Sequence, residues 1–315
     1  MTSPSVRVRR RPTFAWVGVV PFFLFAFAAL GLPVGFLVIG SFQNADGDLT
    51  LQNFADLTTG TIPRAFLNSI EISLVTALAG GIFGFLLAWA VIMGGLPGWI
   101  RSAVMTFSGV ASNFAGVPLA LAFVFTIGNL GLLTKFFLEQ PPYWCQALGL
   151  ATDCSTWPFA ASPKGISLRQ DLGFTIYSKT GLEIVYLYFQ FPLMVLIIAP
   201  ALDGLRREWR EASENLGASA FQYWRHVALP ILAPSILGTM ILLFGNAFGA
   251  QATAFQLTGG TIEIVTIAIG RQIRGDVLHN PGLGYAMAMG MVVIMAFSIT
   301  VYTLLQRRSE RWLRS

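Results

Sequence analysis

Six long apolar runs, separated by polar and charged stretches, dominate the chain: about Phe14 to Gly40, Ala65 to Met93, Ser102 to Ile127, Glu183 to Leu202, Ile231 to Thr253 and Pro281 to Leu305. Each holds about 20 residues or more, enough α-helix to cross the roughly 30 Å of bilayer hydrocarbon. Six spanning helices are predicted. The first run continues apolar past Ala26-Phe27-Ala28, so it reads as a retained span and not as a cleaved leader. The polar stretch 41–63 carries Asp46, Asp48 and Asp56, Gly94 to Gly98 forms a turn before Arg101, and 128–182 is the longest polar segment. In the mixed stretch 255–280 the apolar piece Ile262 to Ile269 is too short to cross and carries Glu263, so this stretch reads as an outer loop, partly re-entrant.

One polar stretch differs from the others. Between the fourth and fifth runs, 203–230 concentrates charge, aromatic residues and helix punctuation. Leu205, Trp209, Ala212 and Leu216 recur at helical spacing, with Arg206, Arg207, Arg210, Glu211 and Glu214 on the other side, which predicts a short amphipathic helix. Gly217 stands where that helix needs a left-handed terminal residue, and Ser219 with Gln222 reads as a capping box opening a second helix. Leu229-Pro230 and Pro234 redirect the chain as it turns apolar again. The stretch is either a docking surface for a soluble partner or a solvated loop with a helical kink.

Composition fixes the class. With 55% hydrophobic and 11% charged residues, the chain is expected to be an all-α integral membrane protein. Its net charge of +5 is spread beside the apolar runs and not gathered in one patch, so no nucleic-acid partner is expected. Under the six-span reading 13 of the 20 Lys and Arg fall on the side holding both termini, Arg101 and the island, which places that side in the cytoplasm. The chain then divides into 1–64 (basic N-terminus, first span and outer loop), 65–306 (a five-span core with outer loop 128–182 and island 203–230) and 307–315 (a basic tail). Cys145 and Cys154 both lie in the outer loop, as a disulfide in an oxidising compartment or as two unpaired thiols.

No nucleotide-binding loop, Ser-His-Asp arrangement or metal-ligand cluster is evident, so neither enzymatic activity nor a bound cofactor or metal is expected. Any ATP and Mg would be handled by a partner. Polar residues at membrane depth tend to face a cavity, which nominates Asn113, Asn246 and Gln251, with Glu71 and Glu183 near the outer mouth, as lining a path. The alternative is that they hold helices together. The Gly-x-x-x-Gly spacings at Gly80/Gly84 and Gly245/Gly249 read first as helix packing.

The island resembles the signature loop of type I ABC importer permeases, Glu-Ala-Ala, three residues, Gly, nine residues, Ile-x-Leu-Pro. Glu211, Ala212, Gly217, Leu229 and Pro230 match it, while Ser213 and Val227 depart conservatively. The resemblance covers roughly 65–305. It implies a multi-pass permease of the bacterial inner membrane, working with a cytoplasmic ABC ATPase dimer, a second permease subunit of different sequence and an extracytoplasmic solute-binding protein. It further implies that Glu211 meets a basic or hydrogen-bonding group on the ATPase, that Gly217 makes the turn, and that Leu205, Trp209, Ala212 and Leu216 pack. Asn68-Ser69, Gly128-Asn129-Leu130-Gly131 and Leu257-Thr258-Gly259-Gly260 look like the polyamine branch, from which Gln251 departs where an acidic residue is expected. Iron(III), phosphonate, thiamine and sulfate importers share the scaffold. The competing reading is an ion-coupled secondary transporter or channel acting without an ATPase; a membrane-embedded enzyme is the third.

Overall fold

The chain was analysed as a computed structural model, which describes residues 18–44, 47–128, 131–134, 174–274 and 280–314, the last seven by backbone alone. Cys145 and Cys154 lie outside the described residues. All regular structure among those described is helical: α1 (Val20–Ser41, with a π-helical turn at Phe27–Gly31), α2 (Gln52–Asp56), α3 (Ile62–Met93), α4 (Gly98–Asn113), α5 (Val117–Ile127), α6 (Lys179–Asp203), α7 (Arg207–Asn215), α8 (Ala220–Gly249, with a π-helical turn at Trp224–Ala228), α9 (Ala252–Thr258), α10 (Val265–Arg274) and α11 (Pro281–Arg314).

The apolar runs become α1, α3, α6, α8 and α11, but the third becomes two helices. α4 and α5 meet at 106°. Pro118 sits in the first turn of α5, where its missing N–H costs nothing, and the preceding Gly116 adopts φ +74°, ψ −148°, a region that side-chain-bearing residues avoid. The pair still runs the length of α6: Arg101 at the start of α4 is bonded at 2.6 Å to Asp203 at the end of α6, while Ile127 at the far end of α5 joins one apolar cluster with Ile176 and Tyr177 just before α6 begins. With the bent pair counted as one, six segments among the described residues are long and apolar enough to cross a membrane.

α6 is the centre of the bundle. Val185, Tyr186, Phe189, Met194, Val195, Ile198 and Leu202 are all buried, and they join two apolar clusters stacked along its length. Its closest neighbour is α3, because α3 presents glycine there. A Cβ on Gly84 would lie 2.5 Å from the Phe191 carbonyl oxygen and one on Gly80 2.8 Å from Gln190 Cβ. In lipid, where tails are as apolar as leucine, such close backbone approach supplies the attraction that water supplies elsewhere. On the other side Gln190, fully buried, donates from Nε2 to the Leu243 carbonyl of α8 at 2.8 Å. The glycine pair of α3 is thus a packing stripe, whereas Gly249 of the second pair has open space beside it.

The outward surface is apolar, as lipid requires: Phe22, Phe25, Phe36, Phe83, Val110, Phe125 and Phe297 are all exposed. Replacing Gly84 by Ala forces α3 and α6 apart and is expected to destabilise the protein by about 1–3 kcal/mol. A lowered melting temperature in detergent checks this, with Gly109→Ala, which meets open space, as the unaffected control.

Candidate functional site

Two regions carry the features singled out in the sequence. The first is a cavity of about 740 Å³ against the two places where helices stop inside the apolar layer. Ser112 and Ala115 to Val117 come from the α4–α5 bend, Gly245, Asn246 and Gly249 from the end of α8, Gln251 to Thr253, Phe255 and Gln256 from α9, and Arg274 from the end of α10. The fifth span ends at Gly249, not Thr253, because the chain turns extended at Ala250 and restarts as α9. That restart moves Gln251 from the end of a span onto the lip of the cavity.

Asn246, Gln251, Gln256 and Arg274 make no side-chain hydrogen bond or ion pair among the described residues, so their polar groups are open to whatever enters. Among the described residues no carboxylate lines the cavity. Arg274 differs in this from Arg101, Lys179, Arg207, Arg210 and Arg271, each of which has an acidic partner. The sequence reading did not nominate Arg274; its signal was the second of two arginines following the short apolar piece 262–269.

Three other nominated residues lie elsewhere. Asn113 donates to Gly109 O at 2.8 Å, closing its own helix, and its neighbour Ser112 lines the cavity in its place. Glu71 is ion-paired with Lys179, which joins the starts of α3 and α6, and Glu183 stands one turn further along α6. Neither glutamate lines the cavity. The stretch read as a partly re-entrant loop is α9, a turn and α10, tied to α3 by the singled-out Asn68-Ser69. Asn68 Nδ2 donates to Glu263 O and Val265 N to Ser69 Oγ, both at 2.9 Å, while Arg271 bonds Glu263 at 3.0 Å.

The second region is the charged island, at the opposite end of the bundle. α7 ends in a Schellman arrangement: Gly217, at φ +77°, donates to Glu214 O at 2.9 Å and Ala218 N to Ser213 O at 3.0 Å. The capping box is present, with Gln222 N donating to Ser219 Oγ and Ser219 N to Gln222 Oε1. The predicted helix, turn and helix are therefore observed. One detail changes, because Leu205 precedes α7 and packs on the core while Arg206 forms the extended cap.

Nothing on α7 is buried. Trp209, Ala212 and Leu216 face outward, Leu216 at 88% exposure, and Phe221 beside them at 71%. Arg207 and Glu211, and Arg210 and Glu214, are bonded at 2.9 Å along the helix, and Arg206 lies over the Trp209 ring. Exposed pairs of this kind contribute about 0.3–0.5 kcal/mol each. Such pairs leave Glu211 free to exchange partners. Behind this open face, Trp224 stands edge-on to Trp89 of α3 at 5.8 Å, so the island is seated on the bundle. Leu229 and Pro230 begin the α-helical part of α8, Pro230 at a position needing no donor.

A profile of the binding-protein-dependent transport system inner membrane component family matches residues 80–315. The chain belongs to that family. It is a multi-pass inner-membrane permease subunit of an ABC importer, and not an enzyme. Among curated relatives, the probable sulfate transport system permease protein cysT of Nephroselmis olivacea is 26% identical over 251 residues, 79% of this chain and 74% of that protein. The spermidine/putrescine transport system permease PotB of Haemophilus influenzae is 33% identical over 129 residues, but these are only 39% of this chain and 44% of that one. Among solved structures, a chain of a bacterial alginate ABC transporter, in complex with an alginate pentasaccharide-bound periplasmic protein, has the same fold: TM-score 0.63 and 14% identity over 93% of this chain and 94% of that one.

Ser219→Ala removes the acceptor for Gln222 N and is expected to weaken the second helix by about 1 kcal/mol, raising amide exchange at Gln222 and Tyr223 roughly fivefold. Hydrogen-exchange mass spectrometry of the detergent-purified protein checks this, with protection across α7 unchanged.

Proposed function

We propose that this permease imports a small inorganic oxyanion of the sulfate type, through the cavity between α8, α9 and the α4–α5 bend. The observation that carries this reading is the lining itself: among the described residues it holds neutral amides and hydroxyls, one arginine with no ion pair, and no carboxylate. A dication would meet a positive charge there and, among the described lining residues, no carboxylate to balance it. An oxyanion would accept hydrogen bonds from Asn246, Gln251, Gln256 and the guanidinium of Arg274, which suits tetrahedral oxygens. The first turn of α5, which opens on the cavity at Gly116 and Val117, adds the positive end of a helix dipole. Gln251, at the position where the polyamine pattern calls for an acid, fits this chemistry, and so do the relatives named as sulfate permeases.

In the same reading the end of the bundle bearing 203–230 faces the cytoplasm, where the outward face of α7 seats in an ABC ATPase. Trp209, Ala212 and Leu216 supply apolar contact, Glu211 leaves Arg207 for a group on the ATPase, and Gly217 keeps the turn rigid enough to transmit motion through the Trp224–Trp89 contact into α3. ATP and Mg are then bound by the ATPase dimer. A second permease subunit completes the path, and a solute-binding protein delivers substrate from outside.

The test is uptake in the source cell deleted for this gene and complemented in trans. Wild-type chain is expected to restore sulfate uptake that excess spermidine does not compete. Arg274→Gln is expected to lower it about 10- to 100-fold at unchanged membrane content, the loss of one charge-assisted contact. Restoration of polyamine uptake instead, or full sulfate uptake by the Arg274 variant, overturns the substrate assignment. Gly217→Pro and Glu211→Lys are expected to leave the complex membrane-bound and hydrolysing ATP while uptake is lost, and normal uptake in both would overturn the coupling role.

A further inference from the structure

The cavity is bordered by two breaks in the helical backbone, and each is held by a single hydroxyl. At the α4–α5 bend the amide of Gly116 has no helical acceptor. Thr253 Oγ1, 137 residues away on α9, accepts it at 2.8 Å, and the same hydroxyl reaches back to Gly116 O at 3.3 Å. Thr253 is 2% exposed, so its hydroxyl is held in place by the packing around it. At the α8–α9 break Tyr186 of α6 donates to the Ala250 carbonyl at 2.5 Å.

The two clamps differ in what they join. Tyr186 fixes one break to the central helix, whereas Thr253 fixes one cavity wall to another: the bend carrying Ser112, Ala115, Gly116 and Val117 to the helix carrying Gln251 and Gln256. Behind the hydroxyl, Leu119 and Ala120 of α5 pack in one cluster with Ala254 and Leu257 of α9. Those contacts hold the helices side by side, and the backbone bonds at the bend are local, Phe114 N to Val110 O, Ala115 N to Asn113 O and Ala120 N to Gly116 O. The Thr253 hydroxyl is the bond that ties the Gly116 peptide, whose φ and ψ set the bend, to the opposite cavity wall.

We propose that Thr253 is a positioning residue for transport, whose hydroxyl holds the Gly116 peptide so that the bend remains a wall of the path. This rests on the cavity being that path. Thr253→Val keeps the shape and removes both bonds, leaving a part-buried amide without its partner; Thr253→Ser keeps the bonds. In the transporter purified from native membrane with its partners, Thr253→Val is expected to raise amide exchange at Gly116 about tenfold and lower sulfate moved per ATP hydrolysed at least about fivefold. The ATPase rate should stay within about twofold of wild type. General loss of folded protein would lower both rates together and leave their ratio unmoved. Thr253→Ser is expected to restore exchange and ratio alike.

An unchanged ratio in Thr253→Val, unchanged Gly116 exchange, or equal loss in Thr253→Ser overturns the proposal. Arg274→Gln run in parallel separates the two claims: if it transports normally while Thr253→Val does not, the anion reading fails and the clamp stands.

Discussion

A peptide group that leaves water must find a partner in the protein, and within the apolar layer a continuous helix is the simplest way to provide one. This chain gives up that solution at two places, Phe114 to Gly116 and Ala250 to Gln251, and much of its organisation follows from the repair. Thr253 and Tyr186 supply the missing bonds from other elements. Because each repair reaches across the bundle, breaking helices in this chain also links them. The cavity lies where the repairs are, since a break opens space and exposes polar groups together.

That arrangement needs a rigid support, and α6 provides it. Glycines on α3 let the two backbones touch, Gln190 ties α6 to α8, and Arg101–Asp203 and Lys179–Glu71 fix its two ends to α4 and α3. The charged pairs sit at the ends, where water screens them and they contribute little energy individually. Their value is in register: they set how far along α6 each neighbour stops. The island at the other end of the bundle has the opposite character, with few contacts beneath it and its apolar side chains turned outward.

Much of this was legible in the sequence because it depended on local patterns. Span length, the left-handed Gly217, the Ser219–Gln222 capping box and the glycine stripe on α3 are all decided within a few residues, and each was found where expected. What was not legible depended on distance or on competition. The bend at Gly116 was hidden inside a run long enough to read as one span, marked only by Ser112, Asn113, Gly116 and Pro118, and Thr253 is separated from its partner by 137 residues. Asn113 looked like a path residue because it is polar and deep, yet the Gly109 carbonyl one turn back accepts its side-chain amide. Arg274 was passed over because charge near a span end is ordinary, and only the cavity distinguishes it from its paired neighbours. Of the motifs behind the polyamine likeness, Asn68-Ser69 is a structural tie from α3 to Glu263 and Val265.

α1 stands apart from this economy. None of its most apolar window is buried, its main contact is with α11, where Gly40 admits the Tyr285 ring, and its continuation is anchored by Asn53 bonding Ser41 O and Gln43 O. The family match begins at residue 80, beyond it. An element fastened along one neighbour and one short clip is modular: taking it away would leave the packing of α6 against α3 and α8 as it is, whereas no core helix could be removed without opening the interior.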